Sequence, residues 1–341
     1  MNIGLLFGGK SYEHDISIIS ANVIYHALKE KHNVILLYID EKGVFKNPKR
    51  IDVSKINKEK NNTFSFCQKG IKNKFKYTKI DVIVNVMHGL NGEDGTAAVI
   101  ANLYNIPFVG SGNISSGLLL DKYFTYATLR SLDIDTIDTK SYQKNDAFDI
   151  FEFPVIVKPA RLGSSIGINK IDNEDQLHTY TNKAFEFDNK IVIQPFINDF
   201  RECNQAAYIY KGEIYVSNVE EVFKSKDILS FDDKYLSTKI NKKHIFISDE
   251  DLFKKISTIT RKIYHKFELC GLVRIDYIIK DDKVFVNEIN TTPGSLAFYL
   301  FEEDILGLLE KQMHNALFNF QNQKATIFKT SILSQSYSYK K

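Results

Sequence analysis

Cysteine is scarce in this chain of 341 residues. Cys67, Cys203 and Cys270 are odd in number and far apart, so they suggest neither a disulfide framework nor a zinc site. Long apolar runs are missing too. None approaches the ~20 residues that cross a bilayer. The run at 3–7 is too short for a secretory signal and lacks a basic flank and a small-residue cleavage site; it reads as a strand. Charge of one sign is not in excess: the formal net charge is +3 and the lysines are scattered, which argues against a nucleic-acid partner. No internal repeat or long low-complexity tract is found. These absences lead us to expect a cytoplasmic protein with no membrane partner. What is present is ordinary for a soluble protein, with 43% hydrophobic and 26% charged residues, and the length allows two or three cores, as expected of a multidomain chain.

Hydrophobic patterning gives an α/β chain of three units. In the first, a strand at 3–7 leads through Gly8-Gly9 into a helix whose apolar positions are Ile16, Ile19, Val23 and Ala27. Strands at 34–39 and 80–87 and a helix at 96–104 follow, an order that implies a parallel sheet with covering helices. The Lys/Asn-rich stretch at 41–79 reads as a solvated insertion with a short hairpin. The second unit opens after Gly110, with helices near 117–132, then strands at 154–158, 166–171 and 191–194. The third runs from Pro195, with strands at 205–210 and 213–218 and a polar loop at 223–243. A helix capped by Ser248 then carries a Leu252/Ile256/Ile259/Ile263/Phe267 stripe. The implied boundaries are 1–112, 113–194 and 195–341.

The chemistry concentrates near residue 280. Runs at 272–280 and 283–290 alternate as strands around Asp281-Asp282. A three-residue loop (281–283) sets Asp276 opposite Glu288 and Arg274 opposite Asn290, on one face. Facing carboxylates repel, so that register suits a divalent cation such as Mg²⁺ or Mn²⁺, bound with substrate phosphate. A two-residue turn puts the two carboxylates on opposite faces. The hairpin alone does not choose between them.

Other stretches share this ambiguity when read singly. Residues 158–167, Lys158 through Gly163, Ser164 and Ser165 to Gly167, form a small-residue loop between strands. Its N–H groups suit phosphate oxygens, although the Walker order of residues is absent. Residues 8–15 join a strand to a helix, a default anion site, but lack the third glycine of a dinucleotide fingerprint. Glu13 there reads as a helix cap or as a partner for a substrate ammonium. His88 begins the ligand-loop-like run 88–95 and reads equally as structural or functional. Lys234-Tyr235 lies in a loop long enough to be a lid.

Taken together the chain resembles the D-alanine–D-alanine ligase family of the ATP-grasp superfamily. The resemblance spans nearly the whole chain, and its anchors occur in family order: 8–17, 88–95, 120–122, 158–167, 234–235, 274–276 and 288–294. It implies an ATP-grasp fold with an N-terminal Rossmann-like domain, ATP lying between the second and third units. It implies that Lys122 and Lys158 contact the α- and β-phosphates, that Gly163 to Ile166, with Ser164 and Ser165 between them, cover the γ-phosphate, and that Glu202 holds the ribose. Asp276, Glu288 and Asn290 match ligands of two Mg²⁺ or Mn²⁺ ions. Arg274 and the Gly294 N–H match an oxyanion hole. Glu13 would hold the ammonium of a first D-alanine, with His88 nearby, and Glu13, Ser164 and Tyr235 match a hydrogen-bonded triad that closes the lid. Lys234 would steady the transferred phosphate, and Tyr235 favours an amine over a hydroxyl as second nucleophile. A homodimer is implied by the family.

The departures from the family pattern are local. The adenine hinge reads Gln194-Pro195 where Glu-Lys is usual; the Pro195 carbonyl and the Ile197 N–H remain available. After Gly294 the run is shortened to Ser295-Leu296, which we assign to the second substrate's carboxylate. Rival readings are another ATP-grasp carboxylate–amine ligase, a D-alanine–D-lactate ligase, a nucleotide sensor without turnover, and a Rossmann dehydrogenase. The sensor reading predicts loss of Arg274 or a metal ligand, and neither is lost.

Overall fold

The computed structural model describes residues 1–56, 62–74, 76–222 and 245–323. The first sheet has strands β1 (Asn2–Gly8), β2 (Asn33–Ile39), β3 (Phe45–Asn47), β4 (Asn62–Cys67), β5 (Gly70–Asn73), β6 (Tyr77–Lys79), β7 (Val82–Asn85) and β8 (Phe108–Val109), ordered β6-β5-β4-β3-β2-β1-β7-β8. Its parallel half is β2-β1-β7-β8. β1 alternates between two cores: Ile3, Leu5 and Phe7 face one, while Leu6 joins Leu37, Ile83 and Met87 in the other. Helices α1 (His14–Leu28) and α2 (Thr96–Leu103) cover the opposite faces. The stretch expected to be a solvated insertion instead extends the sheet by four antiparallel strands. Phe64, Phe66 and Ile71, hidden among lysines and asparagines, bury an aromatic cluster with Phe45.

The expected stripe on α1 is displaced. Ile16 is buried, but Ile19 is 49% exposed, and the inward face is Ser17, Ile18, Ala21, Ile24 and Leu28. Counting only apolar residues missed two inward serines that hydrogen-bond to backbone. Ser17 accepts from the Gly8 N–H (2.9 Å) and donates to the Val86 carbonyl (2.7 Å), fastening the turn between β1 and α1. Gly8 has φ +89, and a Cβ there would lie 2.1 Å from the Ile39 carbonyl oxygen, so only glycine fits.

Helices α3 (Asn113–Leu120) and α4 (Lys122–Ser131) lead to a second sheet. It comprises β9 (Lys140–Gln143), β10 (Val155–Pro159), β11 (Asn169–Ile171) and β12 (Lys190–Pro195), all antiparallel in the order β11-β10-β12-β9, with α5 (Leu177–Phe185) packed on it. The third sheet holds β13 (Arg201–Tyr210), β14 (Glu213–Val222), β15 (Ile245–Phe246), β16 (Val273–Lys280) and β17 (Lys283–Asn290), ordered β15-β14-β13-β16-β17. α6 (Glu250–Lys266) buries Ile256, Ile263 and the following Phe267 against it, as the stripe predicts, with Leu252 and Ile259 at its margins. Its cap is Asp249, not Ser248: the Asp249 carboxylate accepts from the N–H groups of Asp251 and Leu252.

A 3-10 segment (Gly294–Leu300) follows β17 and leads to α7 (Ile305–Gln321). Leu308, Leu309 and Met313 of α7 join the core built by β1 and α1. The chain therefore returns, at its last described helix, to the sheet with which it began.

Candidate active site

β16 and β17 meet through a two-residue turn, not the three-residue loop. Lys280 pairs with Lys283, and Asp281 and Asp282 both take left-handed φ (49 and 59), which aspartate tolerates better than most residues. That turn alone would send Glu288 to the core face. A bulge restores it. Tyr277 pairs with Val286, Asn287 is skipped, and Asp276 pairs with Glu288, with Arg274 opposite Asn290. Tyr277, Val286 and Ile289 keep to the core, while Asp276, Asn287 and Glu288 line a cleft. The carboxylates face each other for a reason the alternation of the strands could not contain.

Arg274 donates to Asp276 from Nε (2.7 Å) and Nη2 (2.9 Å), and Asn290 Nδ2 donates to the same carboxylate (3.2 Å). Burial pushes the Asp276 carboxyl above its ordinary value, against the pull of Arg274. Burial also opposes the charge on Arg274, but Asp276 beside it holds the guanidinium firmly protonated. Glu288 lies 3.4 Å from Lys122 Nζ, and that ammonium also donates to the Leu162 carbonyl (2.5 Å).

The same cleft is lined by Lys122, Lys158, Gly163, Ser164, Ser165 and Glu202. Gln194, Pro195 and Ile197 line it too, so eleven of the sites expected from sequence border one cavity once Asp276 and Glu288 are included. Its apolar wall, formed by Ile137, Ile156, Phe200 and Ile278 among others, was not foreseen, because such residues look like any core position in sequence. Gln194 donates from Nε2 to Thr139 Oγ1 (2.9 Å), and its Oε1 is buried without a hydrogen-bond partner among the described residues.

Glu13 does not cap α1 with its side chain. Its carboxylate instead accepts the Ser164 hydroxyl, bringing the first unit onto the small-residue loop of the second. Ser164 and Ser165 are both left-handed (φ 56 and 60), and a Cβ on Gly163 would come within 3.2 Å of Glu13 Oε1. Lys234 and Tyr235 lie outside the described residues, so the third member of the expected triad is not placed.

His88 is committed on both nitrogens. Nδ1 donates to the Thr292 carbonyl (2.7 Å), so Nε2 accepts from the Ser20 hydroxyl (2.9 Å), and Ser20 Oγ accepts the Ser295 N–H (3.0 Å). Burial lowers its pKa below the ordinary 6.5 and keeps the ring neutral. Glu93, which the sequence reading missed, accepts from the Gly89 N–H (2.8 Å) and the Thr292 N–H (3.0 Å). Burial, aided by Glu13, pushes its carboxyl up to about 8. Its signal was present in the run 88–95, but a side chain that serves backbone N–H groups has no sequence period. Together His88, Glu93 and Ser20 tie residues 292–295 to the first unit.

Leu296 is buried in the core shared by β1 and α1, and its N–H donates to the Pro293 carbonyl (2.7 Å). Its side chain is therefore a packing group, and the Ser295 hydroxyl is the donor of that pair suited to a substrate carboxylate. Ser295, Leu296 and Ala297 run left-handed in succession (φ 48, 57 and 49), costly backbone of the kind held at ligand sites.

His88 predicts a pH effect. Below pH 6.5 the unfolded chain takes up a proton that the native ring refuses, so stability is lost as pH falls through this range. Glu93, its carboxyl raised to about 8, acts in the opposite sense over the same range and gains stability as pH falls. The test is therefore the difference: in thermal melts between pH 7 and 5, a His88→Gln chain should lose less Tm, or gain more, than the parent. An identical change in both chains would show that the pH dependence belongs to other groups.

The fold and this cleft define an ATP-dependent ligase of the ATP-grasp class. Residues 2–111 match the family described as D-ala D-ala ligase N-terminus, and residues 122–305 match D-ala D-ala ligase C-terminus. The chain belongs to the D-alanine–D-alanine ligase family. It is 35% identical to the D-alanine–D-alanine ligase of Thermosipho melanesiensis, covering 98% of each chain. It is 36% identical to that of Campylobacter jejuni, over 89% of this chain and 90% of the relative. Among solved structures, the D-alanine–D-alanine ligase of Helicobacter pylori superposes with TM-score 0.77 at 29% identity, covering 96% of this chain and all of that one. No helix among the described residues is long and apolar enough to cross a membrane.

Proposed function

We propose that this chain joins two molecules of D-alanine into D-alanyl-D-alanine at the expense of ATP, in the cytoplasm and as a homodimer, for cell-wall precursor synthesis. The observation that carries the reading is the meeting of Glu13 with Ser164. It sets an anionic partner for an amino acid's ammonium beside a loop built for a terminal phosphate. The units 1–112, 113–194 and 195–341 then divide the work. The first holds amino acid, and the second and third hold nucleotide between them, although α7 packs back on the first.

ATP fits the cleft on its own terms. Lys122 and Lys158 supply charge for the α- and β-phosphates, Gly163 to Ser165 cover the γ-phosphate, and Glu202 accepts from the ribose. The buried, unpartnered Gln194 Oε1 at the wall needs a donor of the kind an adenine amino group offers. The Pro195 carbonyl and the Ile197 N–H complete the hinge. Asp276, Glu288 and the Asn290 carbonyl are hard oxygen donors brought together against their own repulsion, which suits Mg²⁺ or Mn²⁺. Two such ions, when bound, would neutralise the triphosphate and the charge of the transferred group.

In the first step a carboxylate oxygen of one D-alanine, its ammonium on Glu13, attacks the γ-phosphorus. The bond to the β-phosphate oxygen breaks, giving an acyl phosphate and ADP. Lys234 would steady the moving group. In the second step the deprotonated amine of another D-alanine attacks the acyl carbon. The tetrahedral oxyanion is met by Arg274 and the Gly294 N–H, and the carbon–oxygen bond to phosphate breaks. Asp276 takes two of the five N–H groups of Arg274, leaving three not committed to it. The Ser295 hydroxyl would receive the second carboxylate, and Tyr235 with Ser164 and Glu13 would close the site. His88 acts by holding residues 292–295 in place.

ADP release measured with Mg²⁺ tests this directly. D-alanine should drive ADP formation, L-alanine should not, and adding D-lactate should not divert product to the ester. No ADP above background with D-alanine would remove the assigned substrate. A dominant D-alanyl-D-lactate product would favour the rival ligase.

A further inference from the structure

We propose that Lys190 is a positioning residue for Lys122, setting where the phosphate-binding ammonium stands in the cleft; the proposal rests on reading Lys122 as a phosphate contact. Lys190 opens β12 and makes no part of the cleft lining. Its Nζ donates to both oxygens of Asp121, at 3.0 and 2.9 Å, and lies over the ring of Phe124 at 4.0 Å. The Asp121 side chain is only 5% exposed. Asp121 Oδ1 also caps α4, accepting from the N–H groups of Tyr123 (3.0 Å) and Phe124 (3.2 Å).

Lys122 is the first residue of that helix. Its N–H donates to the Ala160 carbonyl (3.0 Å), and the Ala160 N–H donates to the Lys190 carbonyl (2.9 Å). One residue therefore grips the root of Lys122 by its ammonium and the root of the small-residue loop by its backbone. Asp188, two positions earlier, extends the hold: it accepts from the Arg161 N–H (2.9 Å) and Nε (3.2 Å), and from the Lys190 N–H (3.2 Å). The turn 188–190 thus ties both phosphate-facing elements together outside the cleft. Without the ammonium, Asp121 is left buried with a charge and only backbone donors. The first turn of α4 then has reason to move toward solvent, taking Lys122 away from Leu162 and Glu288.

Lys190→Met keeps the aliphatic stem and removes the charge. Steady-state kinetics should show the KM for ATP rising on the order of tenfold, with KM for D-alanine changed less than about twofold. Lys190→Arg should restore the ATP value. A merely structural loss would lower active enzyme, hence apparent kcat, and leave both KM values alone. Should Lys190→Met fail to fold, Asp121→Asn keeps a capping side chain and should raise the KM for ATP in the same way. Lys122→Ala serves as reference. If it leaves the KM for ATP unchanged, the reading of Lys122 fails and the proposal with it. If Lys122→Ala raises that KM but Lys190→Met and Asp121→Asn do not, the brace alone is overturned. Equal rises in both KM values would also overturn it.

Discussion

A Glu288→Gln chain should form ADP from ATP and D-alanine about 10³-fold more slowly than the unaltered one, yet melt no earlier. The two halves of that expectation come from one fact. Asp276 and Glu288 are paired across adjacent strands on the cleft face, where like charges repel. An amide at 288 has nearly the same shape and removes that repulsion, so the folded state loses little and gains some relief. What it loses is a hard anionic oxygen 3.4 Å from Lys122 Nζ, at the point where triphosphate and cation are assigned. Steady-state ADP release measured beside thermal melting separates the outcomes. Turnover within a few fold of the parent would remove Glu288 from the machinery. A large fall in Tm would make it a structural residue instead.

The facing of those two carboxylates also shows how far sequence could reach. The types of residue at 274, 276, 288 and 290, and the strands they lie on, were legible because alternation and motif order agree. The register was not, because it depends on a two-residue turn of aspartates in left-handed conformation followed by a bulge at Asn287. Each shifts the phase of the strand, and the two shifts compensate. A single inference from turn length reached the right face by the wrong route. Helix α1 carries a similar lesson. Ser17 and Ser20 point inward because backbone and His88 need hydroxyl partners there. A pattern that counts only apolar residues reads that face as the outside. Phe64 and Phe66 sit in a stretch whose composition is that of a solvated loop, and only their alternation with exposed residues marks β4 as half of a buried sheet. At the site, many of the polar residues that line the cleft were foreseen from motif order. Those that serve other residues, Glu93 on Thr292 and Lys190 on Asp121, were not, since their partners lie far away in sequence.

Arg274→Met should separate catalysis from stability most sharply. The rate of dipeptide formation should fall by about 10² to 10³, the usual cost of one oxyanion donor, while the KM for ATP moves far less. The same change should lower stability by about 3–5 kcal/mol, because Asp276, with a side chain 10% exposed, loses its bidentate partner and keeps the Asn290 amide at 3.2 Å. The two effects have different remedies. Adding Asp276→Asn removes the stranded charge, so the double variant should regain most of the lost Tm. It should recover no rate and lose more, since a carboxylate assigned to the cation has gone as well. Recovery of both together would mean that Arg274 does nothing beyond neutralising Asp276. A single variant that turns over within a few fold of the parent would show that the oxyanion is held elsewhere.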